Sequence, residues 1–122
     1  MDKRPSALKL VKAIAKALYD KKGGNVLALD VREVNSMTDY FVIADGTSPP
    51  HLRALKKAVL EVLDKEGIEL AAVEGEQNLD WVVVDCWQVV VHLFSAQLRE
   101  RYGLERVWQE GKMVDLNLAS RV

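Results

Sequence analysis

Long apolar runs are missing from this chain: nothing in its 122 residues approaches the ~20 consecutive apolar residues of a bilayer-crossing helix. Cysteine is nearly absent as well. The single Cys86 excludes an internal disulfide and a cysteine-based zinc site. Only two histidines, His51 and His92, are present, and neither has a Cys, a His or a paired carboxylate close by in sequence. No metal, no cofactor and no catalytic residue are therefore expected, and no base near Cys86 would activate its thiol. An excess of positive charge is missing too. A net charge of −1 argues against dedicated DNA binding, which rests on many cationic contacts to phosphate. No basic segment followed by an apolar one opens the chain, so no secretory signal is read. The expectation is a cytoplasmic protein, or one of an organelle matrix if a transit segment was removed.

What is present fits one soluble globular domain: 49% hydrophobic and 29% charged residues. We read residues 1–108 as that domain and residues 109–122 as a polar C-terminal tail. Its charge is unevenly spread. Twelve of the seventeen Lys and Arg residues lie at or before Lys65. From Glu66 to Leu98 there is none, while Glu66, Glu69, Glu74, Glu76, Asp80 and Asp85 fall in that span. Such a half suits a basic protein as partner better than bare RNA.

Local signals give the elements. Ser6 caps a first helix that runs to Lys22 and stops at Gly23-Gly24, burying Leu8, Val11, Ile14, Ala15 and Leu18. Lys9, Lys12 and Lys16 line another face of it, read as a solvated stripe. Val26 to Val31 and Thr38 to Ala44 read as strands. Ser48 caps a second helix with Pro49 in its first turn, where a missing N–H is harmless, and Gly67 ends it. Ile68 to Val73 reads as a strand. Val82 to Val84 and Val89 to Leu93 are apolar runs of the kind buried on two faces, joined by a tight turn at Cys86-Trp87. Ser95 caps a short last helix to Tyr102, and Leu104 to Trp108 form a packing segment. The order helix, two strands, helix, three strands, helix predicts an α/β (α+β type) sandwich with a mixed sheet of about five strands flanked by helices.

Four places carry candidate sites. Gly46-Thr47-Ser48 lies between a strand and a helix N-terminus, where backbone amides can hold an anion. The preferred reading is a tight turn at Gly46 and a capping role for Ser48, without ligand. Asp39 opens a strand, where its side chain is expected to bond the loop amides of residues 35–37. His92 reads as a satisfied core histidine. Trp81 and Trp87 flank the apolar strand beside Asp80 and Asp85. An exposed aromatic among carboxylates has the composition of a protein-binding hot spot. The competing reading has each ring covering the edge of the sheet.

Ser36-Met37-Thr38-Asp39-Tyr40-Phe41-Val42-Ile43-Ala44-Asp45-Gly46-Thr47-Ser48 and Trp81-Val82-Val83-Val84-Asp85-Cys86-Trp87-Gln88-Val89-Val90-Val91-His92-Leu93-Phe94 together resemble the ribosomal silencing factor (Iojap-like) family, from about Leu8 to Trp108. The resemblance implies a nucleotidyltransferase-like sandwich and a translational repressor that binds the large ribosomal subunit. Its partner there would be the fourteenth protein of the large-subunit series, at the face where the small subunit docks. It implies Trp81, Asp85 and Cys86 as contact residues, with Trp87 beside them. Family members typically carry Asp-Tyr-Gly-Asp or Asp-Leu-Gly-Asp where this chain has Asp85-Cys86-Trp87-Gln88, so Trp87 stands in place of the turn glycine. Two alternatives stand beside this reading. One is a nucleotidyltransferase-like enzyme using Ser48 and Asp85, disfavoured because no Asp-x-Asp pair follows to hold magnesium. The other is a homodimeric adaptor pairing through the edge of the hairpin.

Overall fold

The computed structural model describes residues 6–34, 37–75, 77, 80–102, 112–114 and 116. In chain order these form α1 (Ala7–Asp20), β1 (Gly24–Asp30), β2 (Tyr40–Gly46), α2 (Pro49–Lys65), β3 (Ala72–Glu74), β4 (Trp81–Asp85), β5 (Val89–Ser95), α3 (Ala96–Tyr102) and β6 (Lys112–Met113). The strands make one mixed sheet in the order β3-β4-β5-β2-β1-β6. Only the central β2–β5 pair is parallel; its neighbours run antiparallel. The expected order of elements is found. A sixth strand, from the segment read as a tail, adds Lys112 and Met113 to the β1 edge.

The caps read from sequence close the helices. Ser6 accepts from the Lys9 amide and Ser48 from the His51 amide, and the Ser95 hydroxyl accepts from Leu98 at the start of α3. The end of α1 differs from expectation. The helix stops at Asp20, and the left-handed residue after it is Lys22, at φ 64°, rather than a glycine. Gly24 answers a different need: a Cβ there would sit 2.0 Å from Asp45 Oδ1 across the β1–β2 ladder.

The sheet has two unlike faces. Tyr40, Val42, Ala44, Val82, Val84, Val89, Val91 and Leu93 form the first face and pack with Leu10, Val11, Ile14 and Leu18 of α1 and Leu52, Leu55, Val59 and Leu63 of α2. Because β2 sits at the centre of the sheet, every one of its residues is buried, as its unbroken apolar run predicts. The second face carries Leu29, Phe41, Ile43 and Phe94, with Leu98 of α3 packed against them. Lys9, Lys12 and Lys16 are exposed on α1, and Lys16 pairs with Asp20 at 2.8 Å. That is the solvated stripe expected.

The β4–β5 hairpin lies inside the sheet: β4 bonds β3 on its other side, and β5 bonds β2. Among the described residues β3, rather than the hairpin itself, forms that edge of the sheet. Leu104 to Trp108 fall outside the described residues.

Candidate functional site

Alternation along β4 puts Val82 and Val84 on the helix-covered face and turns Trp81, Val83 and Asp85 to the other. Trp81 is 40% exposed. Its indole N–H donates to His92 Nδ1 at 3.2 Å, and its ring lies 5.1 Å from that of Phe94. Phe41 meets His92 edge-on at 5.1 Å, and His92 stacks on Phe94 at 6.0 Å. The two readings of Trp81 thus both hold in part. One side of the ring covers the sheet and the other faces outward.

His92 is a core histidine, as read, and burial lowers its pKa to about 4. A neutral ring accepting at Nδ1 carries its proton on Nε2. Sequence reading missed its bond to Trp81. The signal lay in the hairpin register: Trp81 pairs with Phe94 and Val83 with His92, which makes Trp81 and His92 diagonal neighbours.

The turn after β4 is built from Asp85 to Val89. Asp85 Oδ1 accepts from the Trp87 amide at 3.0 Å, the Gln88 amide donates to the Cys86 carbonyl, and the Cys86 amide donates to the Val89 carbonyl. A bond between residues two apart around a centre at φ 72°, that of Trp87, marks the rare, strained hand of γ-turn. Trp87 thus keeps a backbone conformation that a glycine takes freely. Its side chain is 63% exposed.

Cys86 is a correction to the expected contact set. Its side chain turns into the helix-covered core at 2% exposure, and its thiol donates to the Val89 carbonyl at 2.9 Å. Burial, with the Asp85 charge beside it, pushes the thiol's pKa up to about 12. Position 86 therefore fixes the turn from inside and presents no side chain outward. Trp81 opens β4 and Trp87 lies in the turn beyond its other end, the strand between spanning about 13 Å at strand rise. Met37 and Val34, both exposed, lie in the loop that enters β2, whose Asp39 and Tyr40 amides bond the Gln88 carbonyl beside Trp87. The expected contacts of the Asp39 side chain fall partly outside the described residues.

The Gly46-Thr47-Ser48 turn borders a cavity of about 400 Å³ shared with Asp80, Ser95 and Gln97. Two of its groups are engaged by His51. The Thr47 amide donates to His51 Nδ1 at 2.9 Å, and Ser48 Oγ accepts from the His51 amide. His51 Nε2 in turn donates to the Lys21 carbonyl at 2.9 Å, tying α2 to the end of α1. Gly46 is set by packing, since a Cβ there would come within 3.1 Å of the Leu52 side chain. The nearest carboxylate on β2, Asp45, is buried and pairs with Arg99 of α3 at 3.4 Å and with Asn25 at 3.1 Å. Among the described residues no three His, Cys, Asp or Glu side chains are placed to hold a metal.

The exposed rings of Trp81 and Trp87, at β4 and the turn after it, are the features that stand out on this surface. The family model described as "Ribosomal silencing factor during starvation" matches residues 4–121. The chain is 34% identical over 108 residues to the Ribosomal silencing factor RsfS of Bacillus subtilis, covering 88% of this chain and 92% of that one. It is 32% identical over 94 residues to a mouse protein named Mitochondrial assembly of ribosomal large subunit protein 1, covering 75% of this chain and 41% of that one. A crystal structure of a Chromobacterium violaceum protein superposes with a TM-score of 0.82 at 30% identity, over 86% of this chain and 88% of that one. The chain belongs to the ribosomal silencing factor (Iojap-like) family.

Proposed function

We propose that this chain represses translation by docking on the large ribosomal subunit at the face that receives the small subunit, so that the two cannot join. The docking surface runs along β4 to the turn, with Trp81, Asp85 and Trp87 as contacts and Cys86 bracing the turn from within. The partner is the fourteenth protein of the large-subunit series. The observation that carries this reading is Trp87: a large exposed ring held at φ 72° in a turn the fold would form more easily with glycine. Strain of that kind persists where binding uses it.

Family membership supports the ribosomal target, and the mouse relative's name links that protein to assembly of the large subunit. Charge supports a basic protein partner. Glu74 ends β3, Asp80 precedes β4 and Asp85 ends it, Glu66 and Glu69 lie between α2 and β3 in the chain, and there is no Lys or Arg between residues 66 and 98. Complementary potentials of this kind speed encounter, while apolar anchors set the off-rate. No catalysis is required. A body of this length has a radius of gyration near ~14 Å, large enough to separate two surfaces that must touch directly. The compartment follows the ribosomes: the cytoplasm, or an organelle matrix.

Trp87→Gly tests the contact. Relief of the left-handed strain is expected to stabilise the fold by about 1 kcal/mol in urea unfolding. Affinity for the isolated ribosomal protein is expected to drop about tenfold. A stabilised variant with undiminished affinity would remove Trp87 from the surface.

A further inference from the structure

The hydrogen bond from Trp81 to His92 crosses the hairpin diagonally and joins an exposed ring to a buried one. His92 is 8% exposed and wedged between Phe41 and Phe94. Its ring contacts are Phe41, Trp81 and Phe94, and what imidazole adds to another ring in that place is an acceptor for the indole N–H. The indole does not require it, because a half-exposed N–H can bond to water. What the pair does achieve is a single indole orientation. A tilted contact with Phe94, at 49° between the ring planes, sets the lean of the indole, and the bond to Nδ1 fixes which way it is turned.

We propose that His92 is a positioning residue for the docking surface: by accepting the Trp81 N–H it holds the indole in the orientation in which β4 meets its partner. This inference rests on the docking reading given above. Burial keeps the imidazole neutral at physiological pH, with its pKa lowered to about 4, so the acceptor is present whenever the protein works. A ring already oriented loses less freedom on binding, and the gain appears mainly as slower dissociation.

The test measures dissociation of the full chain from purified large ribosomal subunits, alongside a thermal melt of each variant. His92→Phe keeps a buried ring and removes the acceptor. It is expected to melt no lower than the unaltered chain at neutral pH and to dissociate about fivefold faster. Trp81→Phe removes the donor instead and gives the same test from the outer side, should His92→Phe fail to fold. His92→Asn restores an acceptor at the Nδ1 position and is expected to recover most of the lost residence time. In a Trp81→Ala background, His92→Phe is expected to change nothing further, since coupled residues fail to add. Unchanged dissociation of a folded His92→Phe, while Trp81→Ala weakens binding, overturns the positioning role. So does an equal effect of His92→Phe in both backgrounds, which marks a general structural loss. Trp81→Ala binding as tightly as the unaltered chain overturns the docking reading of β4 itself, and the role of His92 with it.

Discussion

Replacing Arg99 with Met is expected to destabilise the fold by about 3–5 kcal/mol, among the largest single-residue effects in the molecule. The Arg99 guanidinium is buried against Asp45 Oδ2 at 3.4 Å and also donates to the Gly24 carbonyl at 3.3 Å. Its removal leaves the Asp45 carboxylate in the interior without a countercharge. Breaking such a pair from one side costs far more than replacing both members, because an uncompensated charge remains. Asp45→Asn combined with Arg99→Met is therefore expected to be more stable than Arg99→Met alone, as read from urea midpoints. Equal midpoints would show that the pair is not coupled. The effect reaches the sheet face that carries Trp81 as well. Arg99 and Leu98 hold α3 against the side of the sheet that carries Phe41, His92 and Phe94.

Acid is expected to remove about 3 kcal/mol of stability through His92 alone. Burial lowers its pKa from 6.5 to about 4 in the folded chain. The unfolded chain therefore takes up the proton first as pH falls. Stability is fully present above pH 6.5, declines between 6.5 and about 4, and flattens below that as the folded histidine is protonated too. Carboxylates titrate near the lower end of this window, so the informative quantity is the difference between the unaltered chain and His92→Phe. That difference is expected to shift in favour of the variant as pH drops from 7 to 4. Parallel pH profiles would show that the imidazole is hydrated in the fold.

Much of the fold is written in local signals. Ser6, Ser48 and Ser95 precede helices with no competing role, so their caps are visible in the chain itself. The apolar run from Val89 announces a strand buried on two faces, and the β-propensity of Thr38 to Ala44 announces β2. What escaped depends on partners distant in sequence. Nothing near Arg99 names Asp45, 54 residues away, and nothing near Lys112 names Asp30 as its strand partner. The turn at Asp85 to Val89 was legible as a turn, but not which way Cys86 would point. That direction follows from the β4 alternation continuing one residue past the strand, which carries the thiol into the same core as Val82 and Val84. Lys22 misled because Gly23 and Gly24 looked like a stop signal, whereas Gly24 is needed for close approach to Asp45. Residue type and the family resemblance single out Trp81, Asp85, Cys86 and Trp87; the exposure of the two tryptophans, the burial of Cys86 and the strain at Trp87 come from the structure.

The charge layout completes the account. The exposed lysines Lys9, Lys12 and Lys16 lie on α1, while the span from Glu66 to Leu98 carries carboxylates and no Lys or Arg. The proposed encounter with a basic ribosomal protein should therefore slow as salt rises.

The most direct measurement is a subunit-joining titration. Purified large subunits are incubated with the chain, small subunits are added, and the joined fraction is read on a sucrose gradient. The account predicts that joined ribosomes decline as the chain approaches one copy per large subunit, with the chain migrating in the large-subunit peak alone. An unchanged joined fraction at saturating protein, or co-migration with the small subunit, would contradict it.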